Sequence, residues 1–346
     1  MADNLRKTIA RSRNRVIGVT KSLDELNEKL TSKIDQLQST VQELQKDQSK
    51  LDRQQTELHI NLSNQLRNSG ILQINENEIL VKIFNGLKIY LDTRDIAVVP
   101  HIALDGIWEP EITAAWLSMI KPNDVVFDIG ANFGYYGLLA AHKTNKKNSK
   151  VIFVEANPNL IKYINKTISL NWYNEQSIVE NFAVSDRKHT VVLNVLKEYI
   201  GSSSVQSLDK LESYMGDKMQ LEVDESIQVP AITLDGYCKD KNIKEINLIK
   251  MDIEGYEENA YSGMRQIIKQ SPNVTMFVEF TKDGYENPKQ FYDSMLSDFG
   301  NVYIIDGTGK LTKPKRNSYE YVIGDADDWV MPVFSKDKTL AELTSH

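Results

Sequence analysis

The segment that most constrains the fold is a short apolar strand that runs into a glycine-rich turn, Val126–Gly137. The strand is β-branched and aromatic, and a helical pattern follows it, so Gly130 and Gly134 are predicted to lie in a tight strand-to-helix turn. Glycines in such a turn let a ligand approach the backbone closely. The spacing D-x-G-x-x-x-G differs from the G-x-G-x-x-G that seats a pyrophosphate on a helix N-terminus, which disfavours NAD and FAD.

Acidic residues end three of the predicted strands. Asp128 ends the first strand, Glu155 follows the second and lies 25 residues beyond Gly130, and Asp252 follows the strand Ile246–Met251. Because ligands in open α/β sheets bind outside the carboxyl ends of the strands, we expect these acids to meet at one edge. Glu155 can accept hydrogen bonds from ribose hydroxyls. An acid such as Asp128 favours a cofactor with a positive charge and an amino group, as S-adenosylmethionine has.

The motifs together resemble the FkbM family of class I S-adenosylmethionine-dependent methyltransferases. The resemblance covers residues 85–280, in the family's order, through Asp128–Tyr136, Val154–Pro158, Asn181–Asp186, Gly201–Ser204, Val229–Asp235 and Leu248–Glu257. It implies an α/β chain with the Rossmann-like class I methyltransferase fold, a mostly parallel, doubly wound sheet of seven strands. A long N-terminal coiled-coil helix is expected to precede this fold.

The resemblance also implies where the cofactor binds. Asp128 and Gly130 are expected to face its methionine part, Glu155 its ribose, and Ala183 and Val184 its adenine. Three further residues of the turn and one of the preceding lead-in complete the expected set: Asn132, Gly134, Tyr135 and Glu109. Glu109 matches a G-x-x-E-P pattern of the family, although an acid near a helix N-terminus is an equal alternative.

Methyl transfer needs an oriented nucleophile and a base, and the candidates lie after the third acidic strand. Asp252 and Glu254 are the expected catalytic carboxylates. Lys250 shares a strand face with Asp252, so it is expected to pair with it or to hold an acidic substrate group, with a purely structural pair as the alternative. His101 is a further candidate base. A related group of sugar methyltransferases permits a Mg²⁺ site on Asp252 and Glu279, although the sequence has no diagnostic metal spacing.

Residues 1–68 form a distinct segment without aromatic residues, proline or cysteine. The heptad spacing of its apolar residues predicts a coiled coil that joins two or three copies of the chain. In the facing seam Asn27 favours a parallel dimer, whereas Gln48 and Gln55 leave a trimer open. The alternative is one amphipathic helix folded back on the body. The residues of the heptad are Ile9, Val16, Leu23, Leu30, Leu37, Leu44, Leu51 and Leu58.

Charge and composition bound the remaining possibilities. The first 68 residues hold 12 Lys and Arg against 9 Asp and Glu, and the rest of the chain holds 29 against 39, so the acidic body disfavours nucleic acid as a partner. The single cysteine, Cys238, and the lack of an apolar span or signal segment predict a cytoplasmic protein. The basic N-terminal tip allows peripheral contact with the inner face of a membrane, with a solvated helix end as the alternative.

The sequence therefore predicts four parts: a coiled coil at 1–68, a β-hairpin and helix lead-in at 69–118, the methyltransferase domain at 119–330 and a tail at 331–346. The expected activity is O-methyl transfer from S-adenosylmethionine to a sugar hydroxyl of a glycan, a surface polysaccharide or a glycosylated natural product. Two alternatives stay open. One is a non-catalytic coiled-coil scaffold that carries a methyltransferase-fold module; the other is a nicotinamide oxidoreductase, which the glycine spacing opposes.

Overall fold

The structure is a computed structural model, and it describes residues 29–34, 36–42, 44, 46, 70–207, 210–211, 221–324, 329–337 and 340. The chain divides into two compact units, Met1–Asn68 and Ser69–His346. The boundaries predicted inside the second unit, at 118 and 330, stay predictions.

The first unit is helical wherever it is described. Its described heptad residues, Leu30, Leu37 and Leu44, are all at least half exposed within a single chain. Ile34 and Val41, which lie in the facing seam, are at least half exposed as well. The other heptad residues, the polar seam residues and the basic tip lie outside the described residues. Self-association through a coiled coil therefore stays a prediction.

The second unit begins with a three-stranded antiparallel sheet. Its strands are β1 (Ile71–Asn75), β2 (Glu78–Lys82) and β3 (Lys88–Asp92). The hairpin between β2 and β3 was predicted, and both Asn85 (φ 60°) and Gly86 (φ 77°) have the positive φ that a type I′ turn requires. Strand β1 was not predicted, because its residues lie between the heptad segment and the hairpin without a strong alternating pattern.

Two helices connect this sheet to the central one: α1 (Val98–Asp105) and α2 (Pro110–Met119). Proline stands at the first turn of α2, where its missing N–H costs no helical hydrogen bond. The helix expected in the lead-in is therefore present, and it ends at Met119.

The central sheet has eight strands in the described part of the chain, in the order β14-β13-β16-β11-β10-β4-β5-β6. The strands β6, β5, β4, β10 and β11 run parallel, whereas β16 is antiparallel to both β11 and β13. The predicted mostly parallel, seven-stranded sheet is confirmed, with β14 as a two-residue addition. Its strands are β4 (Val125–Ile129), β5 (Lys150–Val154), β6 (Ser177–Glu180), β10 (Leu248–Met251), β11 (Thr275–Val278), β13 (Asn301–Ile305), β14 (Leu311–Thr312) and β16 (Val333–Ser335).

Helices cover both faces of the sheet because successive strand residues point in opposite directions. In β4 the side chain of Val126 joins one buried cluster with α2, α3 and α4, and that of Phe127 joins the other with α5 to α8. The remaining helices are α3 (Tyr135–Lys143), α4 (Pro158–Leu170), α5 (Leu234–Asp240), α6 (Glu257–Ser262), α7 (Arg265–Gln270), α8 (Pro288–Phe299) and α9 (Tyr319–Val322). None of the helices in the described residues has the length and apolar character needed to cross a bilayer.

Two small sheets complete the unit beside the central one. One has the order β7-β9-β8, with β7 (Ala183–Val184), β8 (His189–Leu196) and β9 (Val223–Ile232). The other pairs β12 (Phe280–Thr281) with β15 (Trp329–Val330) in antiparallel fashion. A single 3₁₀ turn, Ile200–Ser202, follows β8. These elements contribute walls to the site described next.

Candidate active site

The carboxyl ends of β5, β4 and β10 lie side by side at one edge of the central sheet. The parallel registers pair Ile129 of β4 with Val154 of β5 and with Met251 of β10. The residues that follow these three, Gly130, Glu155 and Asp252, are therefore neighbours. The expected meeting of acidic strand ends at one edge is confirmed.

The turn after β4 packs against both neighbouring strand ends. The N–H of Gly130 donates to the carbonyl of Val154 at 2.9 Å, and a Cβ built on Gly130 would lie 1.8 Å from the carbonyl oxygen of Asp252. Gly130 also has φ 76°, in the left-handed region. Only glycine satisfies both conditions, so the D-x-G-x-x-x-G motif first of all lets three strand ends approach each other.

Asp128 lies behind this turn rather than in front of it. Its carboxylate is 2% exposed and accepts a hydrogen bond from the N–H of Gly137 at 2.7 Å, which ties β4 to helix α3. Burial raises the pKa of Asp128 to about 6, although the charge of Lys250 and the hydrogen bond from Gly137 oppose that rise. Asp128 thus holds the turn in place from beneath.

Glu155 is buried beside the same turn and holds it from the other side. Its two carboxylate oxygens accept the backbone N–H of Asn132 at 2.7 Å and of Asn157 at 2.8 Å. Burial raises the pKa of Glu155 to about 7. A carboxylate has about four acceptor sites, so the two backbone bonds leave acceptor capacity for a hydroxyl.

Two adjoining cavities open around these strand ends. The small cavity, about 40 Å³, is lined mainly by Glu155, Phe182, Ala183, Val184, Ile253 and Tyr256. The large cavity, about 460 Å³, is lined on its far side by Val98, Ile102, Trp108, Glu109, Glu279 and Trp329. Gly130, Gly201, Asp252 and Glu254 line both, so these four residues form the passage from one cavity to the other.

Lys250 supplies the positive charge of the large cavity. Its side chain is 4% exposed, its ammonium lies 2.7 Å from Asp252 Oδ2, and it stands 4.5 Å from the centre of the Tyr136 ring. Burial lowers the pKa of Lys250, but the carboxylates of Asp252, Glu109 and Asp128 outweigh it and raise the pKa overall. Lys250 is therefore a permanent cation, and Asp252 is its partner.

Glu109 reaches the same cluster from the start of helix α2. Its backbone is left-handed (φ 43°), and its carboxylate accepts a 2.5 Å hydrogen bond from the hydroxyl of Tyr136. Burial raises the pKa of Glu109, while the charge of Lys250 lowers it. Tyr136 thus contacts both charged groups: its hydroxyl donates to Glu109, and Lys250 lies over its ring.

Glu254 lies in a loop that is fixed by hydrogen bonds to other parts of the chain. Ser204 Oγ donates to the carbonyl of Glu254 at 2.9 Å, and the N–H of Ile253 donates to the buried carboxylate of Glu257 at 2.7 Å. Glu254 has φ 55°, a conformation that costs energy for a residue with a Cβ. Burial, followed by the negative charge of Asp252, raises the pKa of Glu254 to about 8. Strained backbone at such a position is typical of functional sites.

Most of the residues predicted for the site line one of the two cavities. The large cavity brings together Glu109, Gly130, Asn132, Tyr135, Lys250, Asp252 and Glu254, and the small one Gly130, Glu155, Ala183, Val184, Asp252 and Glu254. Asp128, Gly134 and His101 line neither. The imidazole of His101 is instead packed 5.5 Å from the Trp108 ring on an exposed helix face. The roles of all these residues stay predictions.

Several lining residues were not predicted as part of the site. Five of them stand in motifs that carried the resemblance, so the signal for them was present, namely Tyr136, Phe182, Gly201, Ser202 and Tyr256. Trp108 and Trp329 had no signal, because tertiary packing alone brings them to the large cavity.

Among the described residues, no group of three or more His, Cys, Asp or Glu side chains is arranged to hold a metal ion. The two carboxylates named for Mg²⁺, Asp252 and Glu279, therefore have no third ligand of these types within that part of the chain.

Comparison with known proteins assigns the family. The model of the methyltransferase FkbM domain matches residues 128–303, just over half of the chain. The chain belongs to the FkbM methyltransferase family. The methyl donor predicted for it, S-adenosylmethionine, is thereby confirmed. No curated protein matches the chain.

Solved structures resemble the chain only distantly. The FkbM methyltransferase of Methylobacillus flagellatus KT is 13% identical over 69% of this chain and 52% of its own, with a TM-score of 0.37, so this chain spans about half of its length. The TYW2 protein of P. horikoshii, solved with MeSAdo, is 13% identical over 75% and 71%, with a TM-score of 0.38. The precorrin-6y C5,15-methyltransferase of Geobacter metallireducens GS-15 is 12% identical over 66% and 87%, with a TM-score of 0.35. No functional conclusion follows from scores of this size.

The residues around the passage fit S-adenosylmethionine. Asn132 Oδ1 is buried without a hydrogen-bond partner among the described residues, and it lies beside the large cavity, where it can accept an N–H of the cofactor's amino group. Glu155 at the small cavity retains acceptor capacity for the ribose. The carboxylate of Asp252 at the passage complements a positive charge. These residues would hold the cofactor across the two cavities.

Proposed function

We propose that this methyltransferase acts on a hydroxyl group, and that the hydroxyl belongs to a sugar of a glycan, a surface polysaccharide or a glycosylated natural product. The observation that carries the proposal is Glu254. Its carboxylate lies at the passage between the cavities, on a strained loop, and it has a pKa of about 8. A hydroxyl must lose its proton as it is methylated, and a base with a pKa near the working pH does this best.

Each residue of the cluster has a distinct task in the proposed reaction. S-adenosylmethionine, when bound, supplies a methyl group on a sulfonium that departs as a neutral thioether. Glu254 accepts the hydroxyl proton of the acceptor while the acceptor oxygen forms its bond to the methyl carbon. Lys250 holds Asp252 through their 2.7 Å ion pair, so the carboxylate of Asp252 is positioned to accept hydrogen bonds from donor groups. Glu279 and Glu109 offer further acceptors for hydroxyls on the far wall.

The charge of the large cavity supports a neutral, hydroxyl-rich acceptor. Four acidic residues and one basic residue line it, namely Glu109, Asp252, Glu254, Glu279 and Lys250. In their ionised form these carboxyl groups repel phosphate and carboxylate groups, whereas in either form each can accept hydrogen bonds from sugar hydroxyls. An anionic acceptor is therefore disfavoured.

The test is transfer of label from S-adenosylmethionine to a panel of neutral glycans by the full chain. We expect alkali-stable methyl ethers on sugar hydroxyls. Glu254→Gln should lower kcat by about 10²–10⁴-fold, the usual contribution of a positioned base, with the Kd of S-adenosylmethionine unchanged. Alkali-labile methyl esters, or label found only in protein or lipid, would contradict the proposal.

The scaffold alternative gives a different result in the same experiments. Binding of S-adenosylmethionine, seen as a dose-dependent rise in melting temperature, with no transfer to any acceptor would favour a non-catalytic module.

The half-exposed apolar residues of the first unit support self-association in either case, and we propose a dimer or trimer, located in the cytoplasm with peripheral membrane contact at most. Sedimentation equilibrium of the full chain measures the copy number.

A further inference from the structure

Trp329 is placed in the wall of the large cavity by a short strand pairing. Strand β15 returns from the end of the central sheet and pairs with β12, so that Trp329 lies opposite Thr281. Thr281 is two residues beyond Glu279, and all three line the cavity. The backbone ladder therefore fixes an indole next to a carboxylate at the acceptor end of the cavity.

The indole of Trp329 is not part of the hydrophobic core. Its residue is 42% exposed, and it makes no ring–ring or cation–ring contact within the described part of the chain. Trp116, by contrast, is fully buried and packs against Tyr136 and Phe277. A large apolar side chain that stays open in the lining of a cavity is available for contact with a ligand there.

Trp172 shows what an unrelated exposed tryptophan looks like. It is 77% exposed, lies after helix α4 and lines neither cavity. Exposure alone therefore does not distinguish Trp329. Its position in the lining of the large cavity, together with Trp108, Glu254 and Glu279, does.

The chemistry of this wall selects one shape of ligand. A flat apolar surface stands beside carboxyl groups, which accept hydrogen bonds in both protonation states and donate one when protonated. A pyranose ring has an apolar face of C–H groups and an edge of hydroxyl donors, so its face can exclude water from the indole while its edge bonds the carboxylates. A phenolic ring would also stack on the indole, but it offers few donors to the acidic residues.

Resting on the proposed function, we propose that Trp329 is a specificity-determining residue on which a neutral pyranose ring of the acceptor stacks, with its hydroxyls directed to Glu254 and Glu279. Trp329 binds the acceptor and takes no part in the chemistry or in binding of the cofactor.

The test compares three variants of the full chain, Trp329→Ala, Trp329→Phe and the control Trp172→Ala. Acceptor KM and kcat are measured with a glycan that the wild type methylates and with a simple phenol, and the Kd of S-adenosylmethionine is measured by calorimetry. We expect Trp329→Ala to raise the glycan KM about tenfold or more, as the loss of an aromatic stacking contact of this kind would. Trp329→Phe should recover most of the loss, and Trp172→Ala should change nothing.

The possible failures are distinct. An unchanged glycan KM in Trp329→Ala overturns the stacking role while the wild-type activity leaves the proposed function standing. A weakened Kd for S-adenosylmethionine would make Trp329 a cofactor contact instead, and a preference of the wild type for the phenol would replace the pyranose by an aromatic acceptor. A wild type that methylates no sugar overturns both proposals.

Discussion

Replacing Lys250 by methionine tests whether the buried charges of the site are as interdependent as their geometry implies. Removal of one member of a buried ion pair costs about 3–5 kcal/mol, because the other member is left without compensation. The side chain of Asp252 is 24% exposed and keeps some contact with water, so we place the loss near the lower end, about 3 kcal/mol in the free energy of unfolding. Methionine retains most of the apolar contact with Tyr136.

Lys241 provides a matched control. It pairs with Glu180 at 3.0 Å and lies 5.5 Å from the Tyr237 ring centre, as Lys250 does with Asp252 and Tyr136. The Glu180 side chain is 23% exposed, almost the same as Asp252, but the Lys241 side chain is 51% exposed. Lys241→Met should therefore cost less than about 1 kcal/mol, because the pair is solvated and Glu180 keeps the hydroxyl of Tyr237 as a donor. The two variants differ mainly in the burial of the lysine.

Urea denaturation followed by tryptophan fluorescence measures both losses. All four tryptophans lie in the second unit, so the signal is not affected by unfolding of the first. Adding Asp252→Asn to Lys250→Met should restore part of the stability, because the double variant no longer holds the unpaired carboxylate. Equal losses for the Lys250 and Lys241 variants would refute the reasoning.

The loss at Lys250 should also depend on pH. Lys250 lowers the pKa of Asp128 and of Glu109, so its removal raises both further above their unfolded values. A carboxyl with a raised pKa in the folded state binds its proton there and loses stability as the pH rises through that pKa. The difference between wild type and Lys250→Met should therefore be smaller at pH 5 than at pH 8.

Two more predictions concern the turn after β4 and the proposed base. Gly86 and Gly130 have almost the same φ, 77° and 76°, but a Cβ at position 86 meets nothing within 4 Å, whereas one at position 130 meets the carbonyl of Asp252 at 1.8 Å. Gly86→Ala should cost about 1–2 kcal/mol for the left-handed backbone alone, and Gly130→Ala roughly 1–3 kcal/mol more for the clash; equal losses in urea would contradict the packing argument. Methyl transfer by the wild type should rise with pH through about 8, because Glu254 must lose its proton to act as a base, and the rising limb should disappear from the residual activity of Glu254→Gln. A limb that persists in the variant would assign it to another group.

The parts of the fold that the sequence predicted are those in which local pattern and tertiary packing agree. Strands β4, β5 and β10 are apolar runs bounded by acids and glycine, and the hairpin at Asn85 and Gly86 has its own turn chemistry. The short strands β1, β14 and β15 lack such a pattern. They form because a neighbouring edge is available for pairing, which is information that a local window does not contain.

The residues of the site also divide into those whose position follows from a local sequence pattern and those whose position does not. Glu155, Lys250 and Asp252 follow from strand ends, which sequence periodicity locates well. Asp128 was expected to face the cofactor, and this role stays a prediction; its carboxylate accepts a hydrogen bond from Gly137, and Asp128 lines neither cavity. The sequence locates the end of a strand, but it does not show which N–H group a carboxylate at that end will accept.

The two cavities take their walls from different parts of the chain, and this distinguishes the methyl donor, which the family shares, from the acceptor. Every residue that lines the small cavity lies within 128–303, the segment matched by the family model. The large cavity takes part of its wall from outside that segment, at Ala97, Val98, Ile102, Trp108, Glu109 and Trp329. The family shares a methyl donor, so the walls for that donor belong to the segment by which the family is defined. Under the proposed function the large cavity takes the acceptor, and its wall is completed by a lead-in and a returning strand. We therefore expect a change there to alter the acceptor without disturbing the strand ends at the small cavity.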